Sequence, residues 1–226
     1  KTDAAYDIHI LTVYTPDARD AAGSVGAIEA TVRAAADITN TAFMDSDMDA
    51  RFRLVHTEIA PDGYNDSGDI GDDLTWMDNS AALAALRTTH LADMVSLITE
   101  NGGGYCGLAH VQRTLGSVVP YQVTDRGCTV GNLSWAHEHG HNMGFEHDPV
   151  NGAAPGDALQ PYAFAHFIDG NYRTVMSYST ECTLGCTRVP HFSNPDISHN
   201  GEPTGIAAER DNAATGDWSD WTCAQF

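Results

Sequence analysis

The chain is short of cysteine, of cations and of long apolar runs, and each shortage closes off a class of protein. Five cysteines, Cys106, Cys128, Cys182, Cys186 and Cys223, are scattered through 226 residues, and none forms a CxxC pair. They are free for disulfides, which implies an oxidising compartment. The preferred pairing is Cys106 with Cys128 and Cys182 with Cys186, the first closing a loop worth roughly 3 kcal/mol in the chain-entropy model. Cys223 is then odd, pairing outside this chain or exchanging with Cys182 or Cys186. Only 11 Lys and Arg stand against 31 Asp and Glu, a net charge of −20. Phosphate would be repelled, so neither nucleic acid nor an anionic membrane is an expected partner. No apolar run approaches a membrane span and no internal repeat is visible, so one soluble domain, residues 1–226, is expected, as a monomer.

The acidity has several sources, among them salty surroundings and bound calcium, so Ca2+ stays open as a second ion. The stretch Asp45 to Asp49 (DSDMD) begins like a calcium loop. Its sixth position is Ala50 rather than glycine and its twelfth is His56 rather than glutamate, so it reads as a solvated turn. The chain opens on Lys1 with no leader-like stretch. A mature, secreted form is expected, from which targeting and inhibitory N-terminal segments have been removed.

What the chain does have is HEHGHNMGFEHD, His137 to Asp148. On a helix, His137 and His141 lie four residues apart and project from one face, about 6 Å apart along the axis. Both reach one tetrahedral zinc ion at about 2.1 Å. Glu138, beside the first ligand, is placed to reach a water rather than the metal. Gly144 can take a positive φ, stop the helix and turn the chain back, which brings His147 in as a third ligand. Three protein ligands leave a fourth position open, the mark of a catalytic rather than a structural site.

The remaining chain reads as alternating strands and helices. Tyr6 to Tyr14 and Arg51 to Ile59 alternate as strands, and Met94 to Thr99 (MVSLIT) is a buried one. Helices are expected over Val25 to Phe43 and Leu74 to His90. That order implies an α/β fold with a largely parallel sheet. Tyr105 to Val111 and Ser117 to Val123 are two further short strands, and Pro120 assigns the second to an edge or bulge, where a peptide could be added by main-chain pairing. Asn132 or Ser134 is the expected cap of the zinc helix, and a last helix is expected near Ile206 to Asn212. Residues 1–147 form an N-terminal subdomain and 148–226 a smaller, irregular C-terminal one closing over the metal. His56 reads as a packed or surface histidine rather than a ligand, and His110 as a surface histidine, the alternative being that it lines the substrate cleft.

HEHGHNMGFEHD resembles the HExxHxxGxxHD signature of metzincin zinc endopeptidases, and the aspartate after the third histidine resembles the adamalysin or reprolysin branch. Tyr172 to Tyr178 (YRTVMSY) is similar to the methionine turn of that group, with Met176 in the methionine's place. A methionine near an apolar run is ordinarily core; the resemblance implies a floor beneath the zinc ligands. The match to adamalysins fails at His139, where an aliphatic residue is usual, and at Tyr178, where astacins and serralysins place a tyrosine that ligates zinc or stabilises the transition state. The segments SNPDISHNGEPTG and AERDNAA resemble the tail of secreted bacterial reprolysin-like peptidases, including those near the peptidyl-Asp metalloendopeptidases.

The resemblance implies a metzincin-like fold with a twisted, mostly parallel five-stranded sheet and the zinc helix at the cleft. It also implies a zinc endopeptidase with His137, His141 and His147 as ligands and Glu138 as general base, while Tyr178 either donates to the developing oxyanion or only packs. A protein or peptide substrate is expected to lie along Gly107, Leu108 and Ala109. Its P1′ side chain is expected to enter a pocket walled by Ser177 to His191, where Arg188 is the one basic candidate for attracting an acidic side chain, the alternative being an ordinary surface arginine. Two alternatives stay open: a catalytically silent zinc-binding module, against which Glu138 speaks, and a zinc hydrolase of non-peptide substrates.

Overall fold

A computed structural model describes residues 6–225. β1 (Tyr6–Tyr14) is an interior strand, parallel to β2 (Ala50–Ile59) on one side and to β3 (Met94–Thr99) on the other. β5 (Tyr121–Asp125) continues the parallel set beside β3, and β4 (Gly107–Ala109) pairs antiparallel with β5, giving the order β2-β1-β3-β5-β4. Among the described residues β4 therefore ends the sheet with one side of its backbone unpaired. Side chains alternate across β1 and β3. Ile8, Ile10, Met94 and Ile98 enter one core with α2 (Val25–Asp45), while Leu11, Val13, Val95 and Leu97 enter a second with α3 (Ile70–Asn79) and α4 (Ala81–Thr89). Covering both faces is what makes MVSLIT continuously apolar.

The zinc-motif helix, α5 (Ser134–Asn142), lies in the first core through Trp135 and Ala136 and packs against β4 and β5. Beyond it, β6 (Phe167–Ile168), β7 (Tyr172–Arg173) and β8 (Thr187–Arg188) form a small sheet, β9 (Ser198–His199) and β10 (Glu202–Pro203) a hairpin, and α6 (Asn212–Cys223) ends the chain. Disulfides join Cys106 to Cys128 and Cys182 to Cys186, with Cα separations of 5.5 and 5.7 Å, and Cys223 is a free, buried thiol. Among the described residues no helix is long and apolar enough to cross a membrane.

The elements differ from expectation in four places. The helix over Leu74 to His90 is two, because Ser80 leaves the helical region at ψ 103° and its hydroxyl accepts from Leu83 N, capping α4. Pro120 does not put its strand at an edge. It stands just before β5, where no N–H is needed, and its carbonyl accepts from Val95 N, so the strand begins one residue later in the sheet interior. Neither Asn132 nor Ser134 caps α5. The N-cap is Leu133, left-handed at φ 55° and without a side-chain cap, while Asn132 uses its carbonyl to hold Arg188. The last helix starts at Asn212 rather than near Ile206, since Asp211 caps it through Ala214 N.

Candidate active site

On α5, His137 and His141 share a face. The chain then reverses at Gly144, whose φ of 93° is left-handed, with Gly144 N bonded to His141 O and Phe145 N to Gly140 O. The reversal returns His147 to the same place. His147 Nε2 lies 3.1 Å from His137 Nε2 and 3.0 Å from His141 Nε2. Among the described residues these three form the one group of metal-binding side chains so clustered. Nitrogens on a tetrahedral ion at about 2.1 Å stand roughly 3.4 Å apart, close to this spacing.

The outer nitrogens explain why the inner ones are available. His137 Nδ1 lies 2.9 Å from Val175 O, His141 Nδ1 2.8 Å from Phe145 O, and His147 Nδ1 3.3 Å from Asn151 O. A carbonyl only accepts, so each Nδ1 carries the proton and each Nε2 presents a lone pair. Burial holds all three imidazoles neutral, His141 down to about 3 and His137 well below its ordinary value, with the neighbouring positive groups adding to the effect. Three lone pairs converging with no donor between them fit a divalent cation of zinc type.

Glu138 is 5% exposed, and burial raises its carboxyl to about 8, with Arg188 pulling the other way. It faces β4, where Gly107 has no side chain: a Cβ there would collide with the Glu138 carboxylate. Met176, wholly buried, packs beneath α5 against Gly140, where an added Cβ would meet its sulfur. The residue before it, Val175, supplies the carbonyl that orients His137. Tyr178 is 38% exposed, its ring 4.2 Å from that of His147 and 6.1 Å from that of His137. Burial raises its phenol, with Glu138 adding to the effect.

A cavity of 360 Å³ opens beside these groups, bounded by Gly107, His137, Glu138, Tyr178, Arg173 and Arg188. The paired register of the parallel strands β7 and β8 sets Arg173 opposite Arg188. Arg173 Nη1 and Arg188 Nη2 both donate to Ser177 O, at 2.7 and 3.2 Å, and Arg188 Nη1 donates to Asn132 O at 2.8 Å. Burial brings the Arg188 guanidinium down to about 10, with Arg173 adding to it, so both remain charged at neutral pH.

Of the residues singled out in the sequence, the structure gathers His137, His141, His147, Glu138, Tyr178, Gly107 and Arg188 round one cleft, with Met176 beneath it. Leu108 and Ala109 continue along the edge strand from Gly107. His139 is turned into the core between Phe52 and Trp135, His56 stacks on His90, and His110 bonds Asp78, all outside the ligand cluster. Arg173, which lies inside YRTVMSY but carries no role in the sequence reading, shares the pocket. Asp148, wholly buried, accepts from Val150 N and Asn151 Nδ2 on one oxygen and from Ser177 Oγ and Tyr178 N on the other, tying the third-ligand loop to the methionine turn.

Residues 4–193 match Reprolysin_5, described as metallo-peptidase family M12. A peptidyl-Asp metalloendopeptidase of Stenotrophomonas maltophilia (strain R551-3) is 32% identical over 216 residues, 91% of this chain and 49% of that protein. A peptidyl-Asp metalloendopeptidase of Xanthomonas campestris pv. campestris is 33% identical over 216 residues, 91% of this chain and 48% of that protein. The chain thus spans about half the length of the curated relatives it matches. A solved structure described as a chaperone-substrate complex superposes at a TM-score of 0.79 and 18% identity, covering 98% of this chain and 36% of that one, which is a likeness of fold.

Proposed function

Because the chain belongs to metallopeptidase family M12, we propose that it is a secreted zinc endopeptidase that hydrolyses internal peptide bonds and favours an acidic residue, aspartate foremost, at P1′. The observation that carries this reading is the convergence of three Nε2 lone pairs beside a buried carboxylate at an open sheet edge. His137, His141 and His147 hold the ion, and residues 1–147 and 148–226 work as one catalytic unit with the cleft between them. Zinc, when bound, supplies Lewis acidity, which activates water and polarises the scissile carbonyl.

The chain's own groups do the rest. The free side of β4 at Gly107, Leu108 and Ala109 pairs with an extended substrate backbone. Glu138 takes a proton from the attacking water and passes it to the leaving amine. Its burial favours the protonated form it must reach midway, and a cation alongside restores the carboxylate for the next cycle. The Tyr178 phenol donates to the oxygen on which charge develops. Arg188 draws the acidic side chain into its pocket, a reading that the names of the peptidyl-Asp relatives support. The two disulfides suit an oxidising, extracellular setting.

The test is cleavage of casein and of Asp-containing peptides by the protein with and without a chelator, beside Glu138→Ala. Chelation is expected to abolish cleavage and zinc to restore it. Glu138→Ala should retain zinc and lose about 10²–10⁴-fold in kcat. Unaltered cleavage in that variant would remove Glu138 from the chemistry, and zinc binding with no peptide cleaved would leave a silent module or a hydrolase of other substrates.

A further inference from the structure

Resting on the endopeptidase reading above, we infer that Arg173 acts with Arg188 as a second specificity residue, and that their pocket accepts a dianionic phosphoserine at P1′ better than an aspartate. The first ground is charge. Two guanidiniums stand side by side with no carboxylate within ion-pairing distance of either among the described residues, whereas Arg113 and Arg126 both pair with glutamates. Their shared partner, Ser177 O, is a neutral carbonyl. The neighbouring acid, Glu138, offsets at most one charge. An aspartate side chain brings a single negative charge and leaves the pair undercompensated. Phosphoserine brings between −1.5 and −2 at neutral pH and three acceptor oxygens.

Donors and room give the second ground. Arg188 makes one bond from each terminal nitrogen, to Asn132 O and Ser177 O, leaving one N–H on each. Arg173 bonds the protein through Nη1, with no acceptor recorded for its Nη2 among the described residues, and the Nε of both arginines is buried without a partner. Arg173 is thus the guanidinium with a terminal nitrogen to spare. Ser179 and Thr180 line the same cavity with further hydroxyls. At 360 Å³ the cavity has space for a phosphate ester. Planar guanidinium forks are the side chains best matched to phosphate oxygens.

The experiment uses peptides identical except for Asp, phosphoserine or Ser at P1′, cleaved by the wild-type protein and by Arg173→Gln. The ratio of kcat/KM for phosphoserine over Asp is read within each preparation, so a poorly folded variant does not bias it. A wild-type ratio above one at pH 7.5 is expected. It should fall at least threefold at pH 5.5, below the second phosphate pKa of about 6, and at least tenfold in Arg173→Gln at pH 7.5. A wild-type ratio below one, or a ratio unmoved by Arg173→Gln, overturns the inference while leaving the peptidase reading intact. Should no peptide be cleaved, the peptidase reading fails, and binding of the same peptides to Glu138→Gln decides the matter. Tighter binding of the phosphoserine peptide than of the Asp peptide sustains the pocket assignment, and equal or weaker binding overturns it.

Discussion

Gly107 and Glu138 occupy one another's space: the carboxylate on the zinc-motif helix sits where a Cβ of the edge strand would stand. The strand offered to the substrate therefore sets the position of the proposed base. Gly107→Ala is expected to push the Glu138 side chain aside and lower kcat/KM more than tenfold, about 1.4 kcal/mol of transition-state stabilisation. Bound zinc should be unchanged, since no ligand touches position 107. Kinetics with metal analysis checks this, and wild-type kinetics in the variant would show that the carboxylate has room to move.

Asp148 gives both oxygens to donors on two separate loops, and it has none of its own to offer. Asp148→Asn places an amide NH2 against one of those donor pairs in a buried site. The expected loss is about 2–3 kcal/mol, a fall in Tm of roughly 5–10 °C for a chain of this size. Because Asn151 and Tyr178 both flank His147, zinc affinity should fall as well, by about tenfold. Thermal unfolding and zinc titration measure the two effects, and a Tm unchanged within error would refute the tether.

How much of this was open to sequence reading depends on the range of the contacts. His137, His141 and Gly144 lie within one helix and its turn, where spacing alone sets geometry. The sheet was legible because MVSLIT and YDIHILTVY carry their burial on their faces. Arg173 was not: β7 and β8 are two residues each, without periodicity, and a loop closed by the Cys182–Cys186 disulfide brings them into register. The roles of Val175 and Asn132 are carried by backbone carbonyls, which any residue could provide. Ser80 was legible in principle, as a capping residue before an alanine run, but helical periodicity on both sides concealed it.

Tyr178 lies over His147 at 4.2 Å with its phenol in the cleft. Tyr178→Phe keeps the ring contact and removes only the hydroxyl. A fall of about 10–100-fold in kcat with little change in KM is expected if that hydroxyl stabilises developing charge. Steady-state kinetics on one Asp peptide separates the parameters. An unaltered kcat would limit Tyr178 to packing against the ligand.

His166 supplies the pH prediction, since it lies apart from the ligand set. It is 5% exposed, and Arg210 Nη1 lies 3.1 Å from its Nδ1, a donor facing an acceptor nitrogen. Burial, with the Arg210 charge adding to it, lowers its pKa to about 4. Its reference value is about 6.5. Between those values the unfolded chain holds a proton here that the folded chain does not, so stability rises with pH across that window and is lost as pH falls from 6.5 towards 4. The full effect is up to about 3 kcal/mol below pH 4 and close to zero above pH 7. His166→Gln keeps an acceptor for Arg210 but cannot titrate, so the stability difference between wild type and variant should shift in the variant's favour as pH falls from 7 to 4. Denaturant unfolding at several pH values measures it, and parallel curves for the two proteins would show that His166 titrates alike in both states.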